Sequence, residues 1–229
     1  METQSCFLLS YLKYGDYDAI LHCFTKENGF QSFFAKGIYT AKNKKKPYLY
    51  PLSLLQITTS KASNSGGISR ISKMELDSDS YDFSEISMTA ILFFIADFLH
   101  QVLREESANI VMFDEINSLK REISLGNSDA YLSFIFRFLK LSGLAPLNGD
   151  GKYLNPESGI FENEISHRIF NQEISDLWKT LLTISSIYSL DLKRNQRNTF
   201  LDSLIIYCQF HLDSFYTPNS LAVVRQIFD

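Results

Sequence analysis

The spacing of apolar residues changes once along this chain, near residue 80, and that change limits the folds open to it. Before it, apolar side chains come in short runs rich in β-branched and aromatic residues, broken by small polar clusters, which is the pattern of strands and turns. After it they recur every three or four residues, as in helices that bury one face. The order predicts an α+β chain, with a β domain over residues 1–80 and a helical domain over residues 81–229.

In the first part, residues 3–12 and 17–25 form a predicted hairpin around Lys13-Tyr14-Gly15-Asp16. Asn28-Gly29 predicts a second tight turn through positive φ angles, and a strand over 30–36 follows it. Phe30 and Phe34 fall on one face of that strand and Phe33 and Ala35 on the other, so it is expected to be covered on both sides. Further strands are expected over 52–59 and 68–76, before the polar boundary Asp77-Ser78-Asp79-Ser80. Five short strands in about eighty residues suit an OB-fold, the partly open barrel that binds oligonucleotides; an SH3-like barrel is the alternative.

Helices are predicted from Ser84 through Phe98, then over 109–125, 128–141, 173–188, 198–212 and 219–228. Gly143 and Pro146 stop the third. The glycine-rich stretch 144–163 predicts a small hairpin or loop inserted among the helices.

Charge divides the chain in the same place. Residues 1–80 carry ten basic and seven acidic side chains, the rest twelve and nineteen, which together give the net charge of −4. No acidic residue lies between Glu27 and Glu75, a span holding Lys36, Lys42, Lys44, Lys45, Lys46, Lys61, Arg70 and Lys73. A surface built only for solubility mixes both signs. An uncompensated run such as this suits a polyanion.

Other chemistries find little support. Cys6, Cys23 and Cys208 are far apart, with no Cys-x-x-Cys pair, and are read as buried apolar residues. No Walker-type loop, Gly-x-Ser-x-Gly elbow or His-x-x-x-His pair is present, and His22, His100, His167 and His211 are scattered. Asp16 and Asp18 suit turn chemistry. The N-terminus lacks the features of an export signal, and Met88 to Leu103 is shorter than a membrane span. A non-enzymatic cytoplasmic protein with no cofactor, metal or membrane is expected.

The succession Gly15-Asp16-Tyr17-Asp18-Ala19-Ile20-Leu21, Phe24-Thr25-Lys26-Glu27-Asn28-Gly29-Phe30, Ala35-Lys36-Gly37 and Pro51-Leu52-Ser53-Leu54-Leu55 resembles the RecO family of bacterial recombination mediators. So does the helix running from Phe134 into Leu141-Ser142-Gly143-Leu144-Ala145-Pro146, and the tail with Tyr207, His211-Leu212, Ser220-Leu221 and Ile227-Phe228. The resemblance implies an OB-fold, a helical domain, binding of single- and double-stranded DNA, annealing of complementary strands, and help in loading recombinase. It also implies RecR and the single-strand DNA-binding protein as partners, in a bacterial cytoplasm and at the nucleoid when DNA is bound.

Two departures stand out. Many members of that family carry a four-cysteine zinc ribbon; the matching stretch, Asn148 to Phe161, has no cysteine, and no zinc is predicted. Arginines often follow the Lys-Gly pair, whereas Ile38, Tyr39 and Thr40 stand there in this chain. The candidate DNA contacts are Lys36, Lys42, Lys44, Lys45, Lys46, Arg70 and Lys73 for phosphates, with Tyr39, Tyr48 and Tyr50 placed for base stacking. The alternatives are a helical protein-interaction scaffold without direct DNA binding, and an OB-fold accessory enzyme, which would require clustered metal ligands.

Overall fold

A computed structural model describes residues 2–60, 68–77 and 85–228. The chain divides into two compact units, residues 1–114 and 115–229. The boundary expected at Ser80 lies outside the described residues, as does Lys61.

In the first unit, strands β1 (Glu2–Tyr14), β2 (Asp18–Thr25), β3 (Gly29–Ala35), β4 (Leu54–Thr59) and β5 (Ser69–Leu76) close a barrel in the order β1-β2-β3-β5-β4. All neighbours are antiparallel except β3 and β5. Five strands in this order make an OB-fold. Alternate residues fill the interior: Cys6, Leu8, Leu21, Cys23, Phe33, Ala35, Leu55, Ile57 and Met74 are all buried. The three cysteines are buried free thiols, as expected. On the outer face of β3, Phe30 and Phe34 are half-buried, Phe34 edge-on to Tyr14 and Phe30 stacked beside His22.

The turn after β2 differs from the expected one. Only Gly29 has positive φ, at 73°, and Asn28 does not, so this is a three-residue loop between paired Thr25 and Gly29. Thr25 holds it, its hydroxyl accepting from Asn28 N–H and donating to the Gly29 carbonyl. Gly29 is required for a second reason invisible locally: a Cβ there would overlap the Glu106 carbonyl, which accepts from Phe30 N–H at 3.0 Å.

Helix α1 (Ile86–Val102) is apolar nearly all round and buries Ala90, Ile91, Leu92, Phe94, Ile95, Ala96, Phe98 and Leu99. Phe7 and Phe24 are also fully buried, and the Phe7 ring lies 4.6 Å from that of Phe113, near the start of α2 (Ile110–Ser124). Each such side chain contributes roughly 1.5–3 kcal/mol on burial.

The second unit contains α3 (Ala130–Leu141), a hairpin of β6 (Tyr153–Asn155) and β7 (Ile160–Glu162), α4 (Gln172–Thr183), α5 (Arg194–His211) and α6 (Leu221–Phe228). The hairpin falls inside the stretch where one was expected. The core gathers on Trp178, whose ring meets Phe136, Phe170, Phe200 and Tyr207 and whose Nε1–H donates to Ser203 Oγ at 3.0 Å.

The helix expected over 173–188 stops at Thr183, and the one expected from 198 begins at Arg194. Between them, polar side chains distant in sequence hold the segment in another shape. Tyr188 donates to Glu115 at 2.6 Å, Asn127 donates to the Tyr188 carbonyl, and buried Asp129 accepts from Leu192 N–H while pairing with Arg197. No described helix is long and apolar enough to cross a membrane.

Candidate nucleic-acid interface

The connection between β3 and β4, residues 36–53, covers one end of the barrel. It leaves β3 through Gly37, with φ 66°, whose N–H donates to Asp18 Oδ1 at 2.6 Å. Tyr39 N–H then donates to the Tyr17 carbonyl at 2.9 Å. The Gly15–Leu21 segment and the Ala35-Lys36-Gly37 segment, separate in sequence, are thus one hydrogen-bonded corner. At the far end the chain returns through Leu52, buried in the left-handed region at φ 55°, with its N–H donating to the Leu8 carbonyl at 2.8 Å.

Local polar bonds shape what lies between. Thr40 Oγ1 donates to the Gly37 carbonyl at 2.8 Å; Asn43 Nδ2 donates to the same carbonyl, and Asn43 Oδ1 accepts from Lys45 N–H at 2.8 Å. A 3-10 turn, Lys46–Tyr48, follows. Ile38 and Leu49 point into the barrel core, with Tyr39 and Tyr48 packed partly against it. With the apolar residues turned inward, Lys42, Lys44 and Lys46 are exposed and Lys45 is half-buried. Lys42, Lys44 and Lys45 line one depression with Thr40, Asn43 and Tyr48. Four lysines within five residues repel one another, and a bound polyanion relieves that repulsion.

The other candidates fall into three groups. Lys36 is exposed just past the end of β3, and Arg70 is exposed on β5 beside Phe34, two residues from Lys36 along the neighbouring strand. Lys73 stands opposite Thr58 and pairs with Glu75 at 2.9 Å. Both partners are more than half exposed, so the pair is worth no more than about 1 kcal/mol, yet Glu75 offsets the charge of Lys73 locally. Tyr50 is committed elsewhere: its hydroxyl donates to Thr89 Oγ1 at 2.7 Å and its ring meets Phe93 edge-on.

Asp18 and Asn43, two of the residues that shape the loop, were not among the sequence candidates. The only local signal for them is an Asp in the hairpin turn and a single Asn interrupting the lysine run. Likewise, two of the scattered histidines meet: the His22 and His100 rings are 5.2 Å apart on the outside of the barrel. Burial and nearby Arg104 hold His22 below the usual histidine range; burial, His22 and Arg104 do the same for His100, against the pull of Asp97.

Among the described residues no group of three or more His, Cys, Asp or Glu side chains converges as a metal site would require. A zinc ribbon does not fit residues 148–161. Leu154 and Phe161 of this hairpin are buried, and Gly151 lies so close to Phe161 that a Cβ would overlap its carbonyl. His211 Nε2 is engaged with the Pro156 carbonyl at 2.8 Å.

A five-stranded barrel carrying an outward lysine loop, followed by a helical unit, defines an OB-fold protein of the two-part α+β kind. Residues 1–78 match the family model described as "Recombination protein O N terminal". Over 96% of both chains, this one is 25% identical to the DNA repair protein RecO of Flavobacterium psychrophilum; it is 27% identical to that of Azobacteroides pseudotrichonymphae over 95% of both. With that of Porphyromonas gingivalis it shares 29% identity over 61% of this chain and 62% of the relative. Over its first 78 residues the chain thus matches that family's N-terminal model, and over nearly its whole length it is similar to RecO proteins.

Proposed function

We propose that this protein is a DNA-binding recombination mediator of bacterial DNA repair, with its DNA site on the β domain expected over residues 1–80. It anneals complementary strands and helps load recombinase onto single strands coated by the single-strand DNA-binding protein. Its partners are single- and double-stranded DNA, RecR and the single-strand DNA-binding protein, in the cytoplasm and at the nucleoid when DNA is bound. The relatives are DNA repair proteins by name, and the mediator role follows from the family resemblance.

The observation that carries the DNA-binding part is the acid-free loop whose apolar residues plug the barrel while Lys42, Lys44, Lys45 and Lys46 face outward or line its surface. Lys36 and Arg70 extend that surface, and Tyr39 and Tyr48 supply rings beside it; Lys73 contributes least because of Glu75. Contacts of this kind neutralise phosphates without reading sequence.

The test is fluorescence anisotropy of a labelled single strand across a salt series, with the chain and with a variant carrying Lys42, Lys44, Lys45 and Lys46 all changed to Glu. Four phosphate contacts give a log–log salt slope of roughly −3 on single strands, and the variant is expected to lose binding by roughly 100-fold or more. Binding that survives in the variant moves the site off this loop. No binding by the folded chain favours the scaffold reading.

A further inference from the structure

Beside the lysine-lined depression lies a second groove whose character is aromatic. Tyr11, Tyr39, Lys46, Pro47, Leu49 and Tyr50 line it. It lies where β1 runs on past its pairing with β4, which ends at Phe7 opposite Leu54, and continues beside β2. After the irregularity between Leu8 and Ser10, Tyr11 is paired with Leu21 and Lys13 with Ala19, both partners being interior residues. Tyr11 and Lys13 therefore share the face of Leu21 and Ala19, at a level where β4 no longer stands beside β1. Tyr11 is 47% exposed there.

The groove holds its rings in place. Tyr39 is fixed through its N–H to the Tyr17 carbonyl, and Lys13 Nζ lies 5.9 Å over its ring. Tyr50 is anchored by its hydroxyl on Thr89. Rings already fixed by the fold lose little freedom when a ligand stacks on them. Lys46 brings positive charge to the groove, Lys13 lies over the ring of Tyr39, and Lys46 continues in sequence the run Lys42, Lys44, Lys45 that lines the other depression.

We infer that this groove takes unstacked bases of a single strand, with Tyr11 and Tyr39 as stacking platforms, while the adjoining lysines hold the phosphates. The inference rests on the DNA-binding reading of the lysine loop and adds to it a base-binding subsite and a strand preference. Bases in a duplex are stacked on one another and cannot enter such a groove, whereas duplex phosphates still reach the lysines. Stacking is indifferent to base identity, so the preference is for single strands and not for a sequence.

Three probes of equal length separate the contributions: oligothymidylate, the same strand made abasic, and a duplex. Tyr11→Ala is the informative change because the side chain is exposed, whereas Tyr39 packs partly on the barrel core. Its expected effect is about tenfold weaker binding of oligothymidylate, with the abasic strand and the duplex little changed and the salt slope preserved. Tyr11→Phe, which keeps the ring, restores binding.

An equal loss on all three probes assigns Tyr11 a structural role and overturns the inference. So does an unchanged affinity for oligothymidylate, or a wild-type chain that binds the abasic strand as tightly as the one with bases. If the four-lysine variant loses every probe while Tyr11→Ala loses none, the subsite falls and the DNA-binding reading stands. If the wild-type chain binds no probe, both fall.

Discussion

The lysine loop of the barrel unit and the β6–β7 hairpin of the helical unit are both short, glycine-containing insertions, and both involve lysine, but they use it in opposite ways. In the hairpin, Lys179 donates to the Gly151 carbonyl at 2.6 Å and its ammonium lies 4.9 Å over the Phe161 ring. That cation is spent on holding the chain. In the loop the holding is done by Asp18, Thr40 and Asn43 together with inward apolar residues, so the lysines are left to the surface. A basic residue marks a binding surface only where other groups carry the fold.

The largest test of this contrast is Gly151→Ala. The new Cβ meets backbone and not a flexible side-chain end, so the hairpin has to move off the core. Loss of about 3 kcal/mol or more is expected in urea unfolding, whereas single exposed lysines of the loop are expected to change stability by less than about 0.5 kcal/mol when substituted. A tolerated Gly151→Ala breaks the comparison on the hairpin side.

Lys179→Met comes next, since it keeps the stem and removes the donor. It is expected to cost about 1 kcal/mol of stability and to leave oligonucleotide affinity and salt slope unchanged. A weakened affinity instead would put this lysine in the oligonucleotide site. On the loop side, Asn43→Ala removes the bonds to Gly37 and Lys45 without removing a charge. Single-strand affinity is expected to fall about threefold, on the scale of one net hydrogen bond, with the salt slope kept.

The smallest expected effect is one of pH. The pKa values of His22 and His100 are lowered in the folded barrel unit, mainly by burial. Below the ordinary value of 6.5 the unfolded chain takes up protons that the folded one refuses, so stability is full above that pH and declines as pH falls toward the depressed folded values. A melting temperature that drops on acidification, and drops less in His100→Gln, is the expected result. A flat profile over this range sinks the assignment.

Much of this was legible in the chain itself. The barrel strands and the six helices among the described residues follow from periodicity, because burial of one face imposes a period of two or of 3.6 on any sequence that folds this way. The exceptions share a cause. Asn28-Gly29 suggested two positive φ angles, but only Gly29 adopts one, since Thr25 organises the turn and Glu106 fixes the glycine. The helix expected through Tyr188 ends five residues early because Glu115, Asn127 and Asp129 take over the polar groups of that segment. Such partners lie tens of residues away, where no local pattern reaches.

The candidate site divides along the same line. The absence of carboxylates from Glu27 to Glu75 is a property of the sequence alone, and it already singled out the lysine loop. Which side chains that loop turns inward was decided by the barrel, whose open end accepts Ile38 and Leu49 and thereby sends the lysines out. The place of Tyr11 was decided the same way, by a strand that continues beyond its pairing with β4. The sequence determined the two units, their periods and the sign of the charge because these depend on residue type and local spacing. Only the tertiary structure decided which residues are free to meet a ligand, because that depends on what the fold has already used for itself.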